Sequence, residues 1–375
     1  MGNVDKSDYS NEHVAYTPPP LTPEEEKELE KMYAEMDALH MKPLWNQIGG
    51  LMPNAPTPQA VAHKWEWEKI HALAARSGDL VPVGRGGERR AIGLANPGLG
   101  GPTYIAPTLW AAIQYLAPGE NAPEHRHSQN AFRFVIEGEG VWTVVNGDAV
   151  PMKRGDFLIT PGWAFHGHHN IATKPMAWLD GLDIPFAYQM DTGFFEYGSE
   201  KLTDESTPEH SRSERLWAHP GLRPLAFPGA HSSSPIGRYA WEHTDAALND
   251  QLSLEDAGFP GVVAPGHAAV RFTNPSTGND VMTTIRAEFH RLRPGAETTP
   301  IHEVGNRVFQ VFEGSATINI GDETFEVKHG DVVNVPSWQK WSVGAGSEGV
   351  DLFCFSDHPI FEALGLNRTF TPEGI

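Results

Sequence analysis

Gly119-Glu120-Asn121-Ala122-Pro123-Glu124-His125-Arg126-His127 and, further on, Pro161-Gly162-Trp163-Ala164-Phe165-His166 decide the fold of this 375-residue chain, because both stretches recur in altered form. The first returns as Gly295-Ala296-Glu297-Thr298-Thr299-Pro300-Ile301-His302-Glu303, the second as Pro336-Ser337-Trp338-Gln339-Lys340-Trp341. Aligned on the Gly and Pro positions, His125 falls on Ile301, His127 on Glu303 and His166 on Trp341. Three histidines stand together in one copy and are missing together from the other. Scattered structural histidines have no reason to vary as a set, whereas three ligands of one metal ion do.

The duplication extends outward. Short β-rich runs at 108–116, 132–137, 141–145, 157–160 and 176–182 are answered by 284–292, 307–312, 317–320, 332–335 and 350–355. Asn146-Gly147 and Gly321-Asp322 sit at matching hairpin turns. Short antiparallel strands of this kind predict a mainly β protein of two jelly-roll barrels. Upstream, Thr22-Pro23-Glu24-Glu25 predicts a helix start, with Thr22 as N-cap and Glu25 closing a capping box. A second helix is expected over Glu66–Ser77, stopping at Gly78. The division that follows is an arm and helical region over 1–103, a metal-binding barrel over 104–185, connecting structure over 186–280 and a second barrel over 281–375.

Bulk composition narrows the function classes. A net charge of −20 argues against nucleic acid or an anionic membrane as partner. No apolar run reaches membrane length, and Met1–Ser10 is polar without a secretory core. The single cysteine, Cys354, cannot form an internal disulfide, which fits a reducing, cytoplasmic setting.

His125 and His127, two apart on a strand, share a face. His166 from a distant strand would complete a facial set of three neutral imidazoles, with coordination positions left over for substrate and O2. His168 shares the face of His166 and stands beside the metal without binding it, a position for a proton donor or acceptor. Three imidazoles accept several metals, so the pattern alone leaves Fe and Mn open.

Both motifs resemble those of the cupin superfamily, with two departures. Ala131 stands where many cupins carry a glutamate ligand, and Trp163 stands where the general pattern has glycine. Three segments, Val81-Pro82-Val83-Gly84-Arg85-Gly86-Gly87-Glu88-Arg89-Arg90, Pro123 through Phe134, and Trp178-Leu179-Asp180-Gly181-Leu182-Asp183, more specifically resemble the gentisate 1,2-dioxygenase family, whose relatives cleave salicylate and 1-hydroxy-2-naphthoate. The resemblance spans nearly the whole chain. It implies a bicupin with an N-terminal helical region and one Fe(II) per chain. It further implies a homotetramer, and cleavage of gentisate by O2 between C1 and C2 to maleylpyruvate.

That chemistry needs a cation for the substrate carboxylate, and a guanidinium offers two parallel hydrogen bonds. Arg133, on the strand leaving the metal loop, and Arg89, in a Gly-rich loop, match the family's motif; Arg85 is a further candidate. Trp110, Ala112 and Gln114 alternate along one strand and face one way, so Trp110 would stack on the ring, Ala112 would leave it room and Gln114 would hydrogen-bond. Asp180 is a candidate for orienting a neighbouring group. The expected partners are therefore a small aromatic hydroxy acid and O2. The competing readings are cleavage of salicylate or 1-hydroxy-2-naphthoate, and a non-catalytic bicupin that stores or binds a ligand.

Overall fold

The computed structural model describes residues 19–46, 51, 53, 56–81, 90–198 and 208–370, so most of the expected N-terminal arm lies outside the described residues. Two compact units are distinguished, Met1–Thr57 and Pro58–Ile375. In the first, the helix Pro23–Ala38 begins as its sequence dictates, with Thr22 and Glu25 capping each other reciprocally.

The larger unit is built of short strands. β1 (His63–Trp65) and β2 (Ala91–Gly93) precede eight strands of the first barrel: β3 (Trp110–Leu116), β4 (Asn121–His127), β5 (Ala131–Glu137), β6 (Glu139–Val145), β7 (Asp148–Lys153), β8 (Phe157–Thr160), β9 (His166–Asn170) and β10 (Met176–Leu182). β11 (Phe195–Tyr197) and β12 (Arg238–Tyr239) come from the connection. The second barrel uses β13 (His267–Arg271), β14 (Arg286–Leu292), β15 (Ile301–His302), β16 (Arg307–Ile320), β17 (Glu323–Lys328), β18 (Val332–Val335) and β19 (Lys340–Ser356). The first barrel has two sheets, ordered β12-β8-β5-β10-β3-β2 and β11-β4-β9-β6-β7; the second is one eight-stranded sheet. The separate strands expected at 307–312 and 317–320 are one continuous β16, because register shifts near Phe312 and Ser315 bend the chain without ending its pairing. The helix expected to stop at Gly78 instead runs over Trp67–Leu80. Gly78 lies inside the helix with ordinary helical backbone, and a Cβ on it would make only a normal contact with the Tyr115 ring at 3.4 Å, so nothing there ends the helix.

The pleat of the six-stranded sheet separates two jobs. Phe132, Phe134, Ile113 and Leu179 point away from the barrel and join one core with Phe289, Phe312, Phe353 and Phe355 of the second barrel. Phe134 and Phe353 stack at 4.2 Å between ring centroids. Each such fully buried side chain contributes about 1.5–3 kcal/mol. The alternate residues Ala112, Gln114, Arg133 and Asp180 occupy the opposite face, and all are buried.

A strand–helix arm precedes each barrel, and the arms are exchanged. β1 pairs with β18 of the second barrel, and the helix that follows starts at Trp67, whose backbone N–H donates to Asp331 Oδ1 at 2.9 Å. β12 pairs with β8 of the first barrel, and its helix, Trp241–Asp256, starts at Trp241, whose N–H donates to Asp156 Oδ1 at 2.9 Å. Gly330 and Gly155, beside those aspartates, have φ of 85° and 88°, and each lies so close to its tryptophan that a Cβ would collide.

Candidate active site

The metal-ligand geometry follows from the register. His125 is the cross-strand partner of His166, and in the second barrel Ile301 is the partner of Trp341, so the sequence alignment of the two copies is also a structural one. His127 lies two residues along β4. The ring centroids of His125 and His166 are 4.3 Å apart, those of His127 and His166 5.0 Å, and one nitrogen from each of the three rings lies within 4.8 Å of the others.

Each ring is held by a carbonyl two residues away in the chain. Nδ1 of His125 contacts the Pro123 carbonyl at 3.2 Å, that of His127 the Gln129 carbonyl at 2.9 Å and that of His166 the Ala164 carbonyl at 3.0 Å. A carbonyl only accepts, so Nδ1 carries a proton in all three, and in the neutral ring Nε2 is left with the lone pair. His166 Nε2 is buried without a hydrogen-bond partner. Burial, then the Arg133 charge, then the His125 and His127 rings hold His166 well below the ordinary histidine range, so it is neutral. Three imidazoles with a common tautomer and converging nitrogens fit a divalent transition metal.

Across the barrel stands Arg133, buried on β5. One of its amino groups donates to Thr160 Oγ1, and its Nε approaches Asp180 to 3.5 Å without making a hydrogen bond. Burial lowers the Arg133 pKa although Asp180 opposes it. Burial likewise pushes Asp180 up to about 6 although Arg133 and the Trp178 indole N–H pull it down. Both partners of this pair are under-compensated, so the guanidinium retains capacity for a second anion. Asp180 is opposite Arg133 on one side and Ala112 on the other, while Gln114 faces Trp178; Trp110 and Leu182 close the row. His168 is 1% exposed, with its Nδ1 unpartnered. Burial, then Arg133, His125 and His169, hold it well below the ordinary range.

The structure thus gathers His125, His127, His166, His168, Arg133, Asp180, Trp110, Ala112 and Gln114 around one barrel interior. Arg85 and Arg89 lie outside the described residues. Sequence reasoning missed Ala91, which faces Gln114 from β2, and Phe195, whose ring stacks on His125 at 5.4 Å. Phe195 lies in the connection, where no periodicity marks it. Where the general cupin pattern has glycine, the tryptophan keeps glycine's backbone conformation. Trp163 has φ of 66°, the left-handed conformation glycine adopts freely, and its N–H donates to the His127 carbonyl at 2.7 Å. Trp338 repeats this with φ of 69° and a 3.0 Å bond to Glu303.

Residues 112–182 match the cupin domain family, and the second barrel repeats the arrangement, so the chain is a bicupin. It is 58% identical to a gentisate 1,2-dioxygenase of Streptomyces sp. over 349 residues, 93% of this chain and 97% of the relative. It is 35% identical to a 1-hydroxy-2-naphthoate 1,2-dioxygenase of Nocardioides sp. strain KP7 over 331 residues, 86% of this chain and 81% of that one. Its structure superposes on the salicylate 1,2-dioxygenase of Pseudoaminobacter salicylatoxidans in its adduct with gentisate with a TM-score of 0.90. The sequence identity there is 60%, with 94% of this chain and 95% of the other covered. The chain belongs to the gentisate 1,2-dioxygenase family. As such it is a metal-dependent, ring-cleaving dioxygenase, an oxidoreductase that incorporates O2 and acts on a small aromatic substrate.

Proposed function

We propose that this enzyme opens gentisate between C1 and C2 to maleylpyruvate, with one Fe(II) per chain held by His125, His127 and His166. The observation that carries the reading is the pairing of three tautomer-fixed imidazoles with a buried guanidinium that has donors to spare. The similarity to a Streptomyces gentisate 1,2-dioxygenase supports the substrate, and so does the relative named for salicylate, which itself binds gentisate.

A bound Fe(II) supplies the electron transfer that lets O2 react with the ring. The chain's own residues do the rest. Arg133 binds the substrate carboxylate, with Arg89 as a second candidate and Arg85 as a third. Trp110 packs on the ring, Ala112 leaves it room and Gln114 donates or accepts at its edge. His168, neutral and buried, exchanges a proton with the substrate hydroxyl or the oxygen being added. Asp180 positions Arg133. The first barrel, 104–185, carries the chemistry, and the second, 281–375, serves as scaffold. Exposed Tyr188, Met190, Phe194 and Tyr197 near the metal strand support a homo-oligomer, by resemblance a tetramer. The lone, buried Cys354 supports a cytoplasmic location. The test is anaerobic loading with Fe(II) or Mn(II), then O2 uptake and product absorbance with gentisate, salicylate and 1-hydroxy-2-naphthoate in parallel. Faster turnover of either alternative substrate than of gentisate overturns the assignment, as does higher activity with Mn(II).

A further inference from the structure

The second barrel lost its histidines but not a cation. Glu303, at the position of His127, lies 3.2 Å from the guanidinium of Arg307 and 3.1 Å from His358 Nε2. Arg307 also pairs with Glu288, donates to Cys354 Sγ at 3.3 Å, and has its guanidinium carbon 5.2 Å from the centroid of Trp341, at the position of His166. The register shows what has been exchanged. Where Asp180 faces Ala112 in the first barrel, Cys354 faces Glu288 in the second; where Trp178 faces Gln114, Leu352 faces His290. The guanidinium of Arg307, a residue only 7% exposed, therefore stands among the residues that replaced two of the histidines and part of the opposite wall.

The groups around it are a donor set for a metal. Ligand atoms of Glu288, His290 and Cys354 lie within 4.8 Å of one another. His290 Nδ1 contacts His267 Nε2 at 3.0 Å, and His290 Nε2 is buried without a partner. A carboxylate, an imidazole nitrogen and a thiol, with a second carboxylate from Glu303 nearby, would suit a divalent ion such as Zn2+ or Co2+.

We infer that the second barrel keeps a cation site filled by its own Arg307, and that removing this guanidinium opens Glu288, His290, Cys354 and Glu303 to a divalent metal. The fixed guanidinium lets the two carboxylates stay buried without an ion, and its positive charge and bulk keep an ion out. On metal binding the Cys354 thiol would release its proton to solvent and bind as thiolate. The inference rests on the reading of the first barrel only for the ion count, since the thiolate band reports the second barrel by itself.

Co2+ titration of the full, metal-depleted chain tests it. The first site offers only imidazoles, so a thiolate-to-cobalt charge-transfer band reports Cys354 alone. Wild type should take up about one Co2+ per chain with no thiolate band, and Arg307→Ala about two with the band. Arg307→Ala combined with Cys354→Ser should lose the band, and Arg307→Lys should behave as wild type. A thiolate band in wild type overturns the proposal, as does a folded Arg307→Ala protein that takes up no second ion. Should Arg307→Ala fold only in Zn2+-supplemented medium, that is the expected result in another form; insolubility with and without Zn2+ overturns it.

Discussion

The backbone N–H of Trp67 donates to Asp331 at 2.9 Å across 264 residues of chain, tying the arm that precedes the first barrel to the second. Trp241 makes the reciprocal tie to Asp156. Together with the shared phenylalanine core, these ties make the two barrels one folding unit. Ending the chain near residue 275 would strip β1 of its partner strand and uncover Phe132 and Phe134. Such a fragment should be insoluble or lack a cooperative melt, measured by soluble yield and circular dichroism. A soluble fragment with full activity would refute the interlock.

His125→Ala and His166→Ala should each reduce iron from about one per chain to near none, the stoichiometry of a single ligand set. Metal analysis of the purified variants reads this directly. Wild-type iron content in either would remove that histidine from the ligand set.

Arg133→Ala should mainly lose substrate affinity, by about 2–5 kcal/mol for a buried charge pair left half empty. KM or direct binding of the aromatic acid measures it. An unchanged affinity would transfer the carboxylate to another cation.

His168→Ala should retain iron and substrate affinity but lose turnover, by roughly 10²–10⁴-fold for a positioned acid or base. Stopped-flow turnover with iron content measured on the same sample separates the two. Wild-type kcat at full iron would leave His168 a packing residue.

Asp156 gives a pH dependence away from the chemistry. Burial pushes its carboxyl from the ordinary 3.8 up to about 6, against Arg238 and the Trp241 and Lys153 N–H groups. Between those two values the folded chain holds more protons than the unfolded one. Its contribution to stability is therefore greatest below the window and is lost as pH rises through about 6. Asp156→Asn does not titrate. The stability of wild type relative to this variant should thus be greater at about pH 5 than at about pH 7.5, by about 1–2 kcal/mol. Denaturant melts of both proteins at the two pH values decide it; a constant difference would mean that Asp156 keeps an ordinary pKa.

The triad was legible because His-x-His is a two-residue period and because a second copy stood beside it for comparison. The capping box at Thr22 and the hairpin at Asn146-Gly147 were legible for the same reason: each is a local rule with a local signature. The exchanged arms were not, since pairing between His63–Trp65 and Val332–Val335 leaves no trace in either segment alone. Nor was the role of Arg307. Aligning the copies reveals which ligands are missing, whereas the guanidinium enters that space from position 307, whose counterpart in the first barrel is Ala131.

The three short contacts between Nδ1 and carbonyl have a consequence for how the enzyme is made. Each ring is oriented by a carbonyl only two residues away, so the local backbone sets each imidazole. Little side-chain freedom then remains to be lost on metal capture. Folding of the backbone around Pro123, Gln129 and Ala164 thus sets the three imidazole planes, and a substitution that shifts one of those carbonyls would tilt its ring without touching a histidine.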